Sequence, residues 1–129
     1  MPSRPAHPLV TAVRTALADA ADPARAAAMQ RYMKSAMPFR GVPAPVQQRI
    51  WRAAAEAHPL TSRRQWETAA RALWRHAAFR EERYAAIGVS DLPRYRSYRT
   101  RASLPLFEEW IVTGAWWDLV DPVATHHLG

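Results

Sequence analysis

Eleven prolines divide the sequence into short segments, and their positions limit the fold more than any other feature. Proline lacks a backbone N–H and breaks a helix interior, but it is tolerated in the first helical turn and just beyond a helix end. Between the prolines the sequence is rich in alanine, leucine and arginine, which favour helices, and it has only four glycines. The prolines and the helical periodicity predict helices over 7–21, 23–36, 43–57, 62–78, 79–89, 103–114 and 116–128.

Two of these boundaries carry helix-capping sequences. In "DPAR" (22–25), an aspartate precedes a proline, which is typical of a helix N-terminus. In "TSRRQW" (61–66), a hydroxyl side chain is available to cap the helix that follows.

Apolar residues recur at helical spacing, so three of the helices have a face that we expect to be buried. The predicted faces are Leu9, Val13, Ala16 and Leu17; Val46, Ile50, Ala53 and Ala54; and Trp66, Ala70, Leu73 and Trp74. The sequence therefore predicts a single all-α domain over 1–129. Short connections indicate that consecutive helices pack antiparallel, as in a helical-repeat superhelix of the HEAT type. A compact helical bundle is the alternative architecture.

The charge balance indicates a class of partner. The net charge is +7, and all but one of the 18 basic residues are arginine, the exception being Lys34. Arginine suits phosphate geometry, so a polyanion such as nucleic acid is one interpretation. A solvated basic surface is the other.

Several classes of protein are disfavoured by the composition. The sequence has no cysteine, which excludes a disulfide framework and a cysteine metal site. No apolar run has the length of roughly 18 residues that a membrane span needs, so we expect a soluble cytoplasmic protein without membrane contact. His126 and His127 are adjacent and project from different sides of a helix, so neither a metal nor another cofactor is expected.

The segment "LPRYRSYRTRASLP" (92–105) alternates arginine with tyrosine. Arginines can hold a phosphate backbone while aromatic rings stack on bases. The same segment can equally be a solvated linker, and the residues alone do not decide between the two.

The stretch "TGAWWDLVDPV" (113–123) is the strongest candidate for chemistry. Trp117 and Asp121 are four residues apart, so on a helix they share one face. An indole face beside a carboxylate attracts a cation. The alternative is structural: Trp117 belongs to the core and Asp121 caps a helix that begins at Pro122.

Three stretches resemble the AlkD-type DNA alkylation repair glycosylases, which are HEAT-like repeat proteins. They are "MQRYMKSAMPFRGVPAPVQQR" (29–49), "LWRHAAFREERYAA" (73–86) and "LPLFEEWIVTGAWWDLVD" (104–121). Their order and spacing match that family over nearly the whole chain, although "REER" alone would be a weak signal.

The resemblance implies a superhelix whose concave basic face holds duplex DNA, and an activity that excises purines carrying a positive charge from alkylation. It places the catalytic acid at Asp121, its indole neighbour at Trp117 and a DNA-facing tyrosine at Tyr32. Together with the net charge, it leads us to expect further DNA contacts from Lys34 and Arg40.

Glycosidic cleavage builds positive charge on the sugar, which Asp121 and Trp117 would stabilise. The departing base is already cationic, so no strong general acid is required.

Two departures from the family pattern shape the remaining expectations. Pro122 follows Asp121 where a helix former is expected, and members of the family are considerably longer. We therefore expect the chain to correspond to the N-terminal half of an AlkD-like protein. Trp110, Ile111 and Leu128 would then form an exposed patch and a route to self-association. The alternatives to an enzyme are a DNA-binding module that does not cleave and a helical protein-interaction scaffold.

Overall fold

The computed structural model describes residues 7–33 and 37–114. Within them the regular secondary structure is entirely helical, as predicted. Two short 3-10 helices, Pro93–Tyr98 and Arg101–Ser103, separate the last two α-helices. The α-helices are α1 (Pro8–Asp19), α2 (Pro23–Met33), α3 (Ala44–Ala57), α4 (Arg63–Arg75), α5 (Arg80–Ser90) and α6 (Leu104–Gly114). The predicted helix 116–128 and the predicted end of α2 at residues 34–36 lie outside the described residues.

Both predicted caps are confirmed. The Asp22 carboxylate accepts hydrogen bonds from the backbone N–H groups of Ala24 at 3.1 Å and Arg25 at 3.2 Å, so α2 begins at Pro23. The Ser62 hydroxyl accepts from the N–H of Gln65 at 3.1 Å, so α4 begins one residue later, at Arg63. These bonds satisfy N–H groups that the first turn of a helix leaves without intrahelical partners.

The helices pack mainly in an order that skips neighbours in the chain. Helix α1 packs on α3, and α3 packs on α5. Helix α4 packs on α5, the next helix, and also on α6. The expectation that consecutive helices pack together holds for α4 and α5 but not for α2, which has no buried residues and lies at the surface. Its sequence is mostly small and polar, so it has little apolar surface to bury.

The buried face of α4 agrees with the prediction, that of α1 agrees except that Ala16 is only half-buried, and that of α3 agrees in part. In α3 the buried residues are Gln47, Ala54 and Ala55, while Ala53 is exposed. The Gln47 amide donates to the Val42 carbonyl at 2.8 Å, which allows a polar side chain to be buried there. Ala54 is buried as predicted, and Val46 and Ile50 are partly buried against the core. Together with Ala53 they also line an open cleft between α1 and α3.

The predicted exposed patch at α6 is wrong for Trp110. This indole is fully buried and stacks on Trp74, with ring centroids 5.3 Å apart. Ile111 is half-buried against the same core, and Leu128 lies outside the described residues. The α4 surface covers Trp110, so this residue offers no surface for self-association. None of the helices in the described ranges is long and apolar enough to cross a membrane.

The N-terminus of α1 is capped by a titratable group. The His7 Nδ1 accepts a hydrogen bond from the N–H of Leu9 at 3.1 Å. Burial, and to a lesser extent the charge of His58, hold the pKa of His7 below its ordinary value of 6.5. The unfolded chain therefore binds more protons than the folded one just below pH 6.5, and the stabilisation is complete above that pH and declines as the pH falls.

We predict that His7→Asn makes the melting temperature less sensitive to acid. Asparagine keeps the capping acceptor and does not titrate, whereas protonated His7 loses a cap worth on the order of 1 kcal/mol. Thermal denaturation at pH 7.5 and pH 5 should show a smaller drop for His7→Asn than for the wild-type protein. An identical drop in both would show that the His7 cap does not contribute to the pH dependence.

Candidate functional site

An open apolar groove of about 690 Å³ lies between α2, α3, α5 and the segment 37–43. The groove carries Tyr32 on α2, whose side chain is 85% exposed. The other lining residues are Arg25, Ala28, Met29, Met33, Phe39, Ala44, Gln47, Trp51 and Tyr84. An exposed aromatic ring at an otherwise apolar groove is a candidate contact for a ligand with flat or sugar-like surfaces.

Gly88 on α5 makes room for the Trp51 indole, which lines this groove. A Cβ atom at Gly88 would lie 2.4 Å from Cε2 of Trp51, far inside van der Waals contact. The missing side chain therefore lets the α3 indole lie directly against the α5 backbone. Trp51 and Tyr84 bring α3 and α5 together as one wall of the groove.

The segment 38–42 turns sharply at Gly41, which has a φ of 87°. A Cβ atom at Gly41 would lie 2.1 Å from the Asp22 carbonyl oxygen, so only glycine fits both the backbone angle and the space. The N–H of Asp22 donates to the Arg40 carbonyl at 2.8 Å. The turn is therefore packed against the start of α2, the helix that carries Tyr32.

A buried carboxylate holds the same turn from the other side. Glu81, in the first turn of α5, is fully buried. Its two carboxylate oxygens accept hydrogen bonds from the N–H groups of Arg40 at 2.9 Å, Gly41 at 2.9 Å and Val42 at 3.1 Å. In the reverse direction, the N–H of Arg80 donates to the Pro38 carbonyl at 2.9 Å. Charge-assisted bonds of this kind are stronger than neutral ones, so they fix the turn on α5.

Arg80 is buried among the aromatic side chains beside this turn. Its Nε donates to the Tyr84 hydroxyl at 3.0 Å, and its guanidinium lies 5.5 Å from the centre of the Phe39 ring. Glu82, the next acid, is also buried and accepts from the N–H of Ala78 at 2.8 Å. The "REER" sequence, a weak signal by itself, therefore organises the loops around the site.

The structure describes two of the three predicted DNA-contacting residues, Tyr32 and Arg40. Tyr32 lies on the groove, but Arg40 does not line it. The Arg40 guanidinium lies 3.9 Å from the centre of the Phe79 ring and, within 7–33 and 37–114, forms no ion pair. Lys34 lies outside the described residues.

The last turn of α6 is held by a network that the sequence did not reveal. The Trp74 indole N–H donates to the Thr113 hydroxyl at 2.8 Å, and that hydroxyl donates to the Glu109 carbonyl at 2.6 Å. Arg83 donates to the Thr113 carbonyl at 3.3 Å, and its guanidinium lies 4.5 Å from the Trp74 ring. Burial, together with the nearby positive charge of Arg80, lowers the pKa of Arg83.

A cluster of four ionic side chains, Glu67, Arg71, Arg75 and Glu109, adds to this network on the α4 side. The Glu109 carboxylate is paired with Arg71 at 2.8 Å and with Arg75, and Arg75 is the main cause of the lowered pKa of Glu109. The middle and the last turn of α6 are thereby fixed before the chain continues to Trp117 and Asp121. Those two residues lie outside the described residues, so their predicted catalytic roles stay predictions.

The arginine–tyrosine segment does not support base stacking by its tyrosines. Tyr95 is 2% exposed, and its hydroxyl accepts a hydrogen bond from the N–H of Leu60 at 3.1 Å. Its ring stacks on Tyr98 at 5.7 Å. The tyrosines are structural because 3-10 geometry places residues three apart on one face, and here that face points to the core. Among the residues that the structure describes, no group of acidic and histidine side chains could hold a metal ion.

The fold and the site define an all-α protein with a groove that combines aromatic and basic residues, on a chain of net charge +7. Residues 13–129 match the protein family described as DNA alkylation repair enzyme. No curated protein shows significant sequence similarity to the chain. The chain belongs to the DNA alkylation repair enzyme family, which gives it a role in alkylation repair with DNA as its substrate.

We predict that Glu81→Gln destabilises the protein by about 3 kcal/mol, because a carboxylate that accepts three N–H groups is replaced by an amide whose NH2 group cannot accept from them. Chemical denaturation gives the free energy of unfolding. Glu67→Gln is the matched control, since Glu67 is partly exposed and pairs with Arg71 on the same helix at 3.1 Å. The control should lose less than about 0.5 kcal/mol. Equal losses in the two variants would contradict a special role for Glu81.

Proposed function

We propose that the protein is a DNA glycosylase that excises cationic alkylated purines from duplex DNA by hydrolysing the N-glycosidic bond. The observation that carries the proposal is the family match over 13–129, which includes the aromatic–acid block around Trp117 and Asp121. The family gives the DNA substrate and the repair role, and the chemistry of this block supplies the reaction.

In the proposed mechanism, the bond between the sugar C1′ and the base nitrogen breaks first. Its electron pair moves to the base and neutralises the positive charge of the alkylated ring, so the base leaves without a strong general acid. The sugar becomes oxocarbenium-like, and the Asp121 carboxylate and the Trp117 ring face stabilise that cation. A water molecule then adds to C1′, and Asp121 orients it and accepts its proton.

The described residues supply the DNA-holding part of the proposal. Tyr32 is exposed on α2, and the Arg40 guanidinium lies 3.9 Å from the centre of the Phe79 ring and forms no ion pair with the carboxylates of 7–33 and 37–114. Arginine held in this way keeps donors for phosphate oxygens. In a HEAT-like superhelix, Tyr32, Lys34 and Arg40 would contact the backbone from the concave face, where the resemblance also places Trp117.

We predict that affinity for duplex DNA falls steeply with salt and depends little on sequence. Each phosphate contact releases counterions, and contacts to backbone and sugar carry little sequence information. Fluorescence anisotropy between 50 and 200 mM salt should give a steep linear plot of log affinity against log salt concentration. Arg40→Gln should reduce the slope by about 1. A slope near zero for the wild-type protein would favour a protein partner over DNA.

We predict that Asp121→Asn lowers the excision rate by about 10²–10³, because it removes a charge aimed at a developing cation. The measurement is single-turnover release of a cationic methylpurine from duplex DNA at saturating protein. DNA affinity should stay equal or rise slightly, since a negative charge near phosphates is lost.

Asp118→Asn is the matched control, because Asp118 is next to Trp117 in sequence and does not share its helical face. This control should keep its excision rate. Equal rates in Asp121→Asn and the wild-type protein, both above background, would remove Asp121 from the mechanism. Undetectable excision by the wild-type protein, with DNA binding retained, would favour the DNA-binding module over the enzyme.

A further inference from the structure

We infer that Arg96 and Arg101, on the two 3-10 helices between α5 and α6, form a second contact surface for the phosphate backbone of duplex DNA. This surface is separate from the groove around Tyr32. The inference rests on DNA as the substrate and is independent of whether the chain excises bases.

The segment 93–103 is held rigidly by its inward-facing side chains. Tyr95 and Tyr98 stack on each other, and the Tyr98 hydroxyl reaches the Leu60 carbonyl at 3.5 Å. At the second 3-10 helix, Ser103 is buried and forms a reciprocal capping box with Thr100, in which the Thr100 N–H donates to the Ser103 hydroxyl at 3.2 Å. Because the tyrosines occupy the inner face, the arginines between them are left on the outer faces.

The four arginines of the segment differ in whether they are bound to other groups of the protein. Residues 92–107 contain four arginines and no acid. Arg99 is neutralised by Asp91, with 2.6 Å between Nη1 and Oδ1. Arg94 uses one donor on the Ala55 carbonyl at 3.2 Å. Arg96 and Arg101 are exposed and form no ion pair within the described residues, so their guanidinium donors are available to a ligand.

The arginine surface lies at the opposite end of α5 from the turn that Glu81 binds. The Glu81-bound turn lies at the start of α5, whereas the arginine segment follows the end of α5 and packs on Leu60, just before α4. Helix α5 has 11 residues and is therefore about 16 Å long, which is the distance between the Glu81-bound turn and the arginine segment along the helix axis. A DNA duplex carries phosphates at closer intervals than this. Arginines in a rigid frame lose less entropy on binding than arginines in a flexible linker.

The test uses Arg96→Gln, Arg101→Gln and the double variant in salt-dependent binding to undamaged and methylated duplexes. Each single substitution should reduce the slope of log affinity against log salt by about 1, and weaken binding roughly tenfold at 0.1 M salt. The double variant should lose about 2 from the slope. The weakening should be equal for both duplexes, and the excision rate at saturating protein should not change.

Two control variants separate a specific contact from net charge. Arg49→Gln removes one exposed arginine from the cleft between α1 and α3 and should leave the slope near that of the wild-type protein. Arg96→Lys keeps the charge and should restore most of the slope lost in Arg96→Gln. A wild-type slope in the double variant would overturn the inference, as would an equal loss in Arg49→Gln. If the wild-type protein excised no base, or if Asp121→Asn did not lower the excision rate, the proposed glycosylase function would fail. The salt slopes of the Arg96 and Arg101 variants would still test the DNA contact.

Discussion

The buried carboxylate of Glu81 is the interaction on which the candidate site depends. A fully buried carboxylate is costly unless strong hydrogen bonds compensate it. Here the compensation comes from three consecutive backbone N–H groups of the turn 40–42. The Glu81 charge is therefore compensated by backbone N–H groups, which point to it only in this conformation of the loop. The loop and the first turn of α5 thus hold each other in place.

The effect of Glu81 extends to α2 through Gly41. The left-handed conformation of Gly41 brings the turn against the Asp22 carbonyl, and the Arg40 carbonyl binds the Asp22 N–H. Helix α2 contains no fully buried side chain, so these backbone contacts help to hold it on the rest of the protein. The same contacts help to place Tyr32 on the groove.

The other side of the molecule is built differently. Three fully buried tryptophans, Trp66, Trp74 and Trp110, fill the space between α4 and α6. The Trp74 N–H and the Arg83 guanidinium then fix the last turn of α6 at Thr113. The block proposed to carry the chemistry thus follows a helix end that is held by both aromatic packing and hydrogen bonds.

Much of the helical framework could be predicted because its signals are local. The proline boundaries, the Asp22 and Ser62 caps and the buried face of α4 depend only on neighbouring residues. The failures have two causes. In α3, Gln47 is buried because its amide donates to the Val42 carbonyl, a local bond that apolar periodicity does not predict. Trp110 is buried because Trp74, on another helix, covers it. Glu81 gave no sequence signal, since its three partners lie about 40 residues earlier in the chain.

Of the candidate site, Tyr32 is found exposed on a groove, as a DNA contact requires, whereas Arg40 packs on Phe79. The resemblance could identify these residues but not the packing of Arg40, because Phe79 lies about 40 residues later in the chain. In the arginine–tyrosine segment, Tyr95 is buried and cannot stack on bases, which the sequence could not show because alternation does not reveal which of two faces packs on the core.

Native-state hydrogen exchange of the wild-type protein tests the role of Glu81 most directly. If the carboxylate holds the turn, the amides of Arg40, Gly41 and Val42 should exchange as slowly as core amides of α4, such as that of Leu73, although they lie outside any helix. Amides without such partners in surface loops exchange orders of magnitude faster. Rapid exchange at all three positions, with Leu73 still protected, would contradict the account.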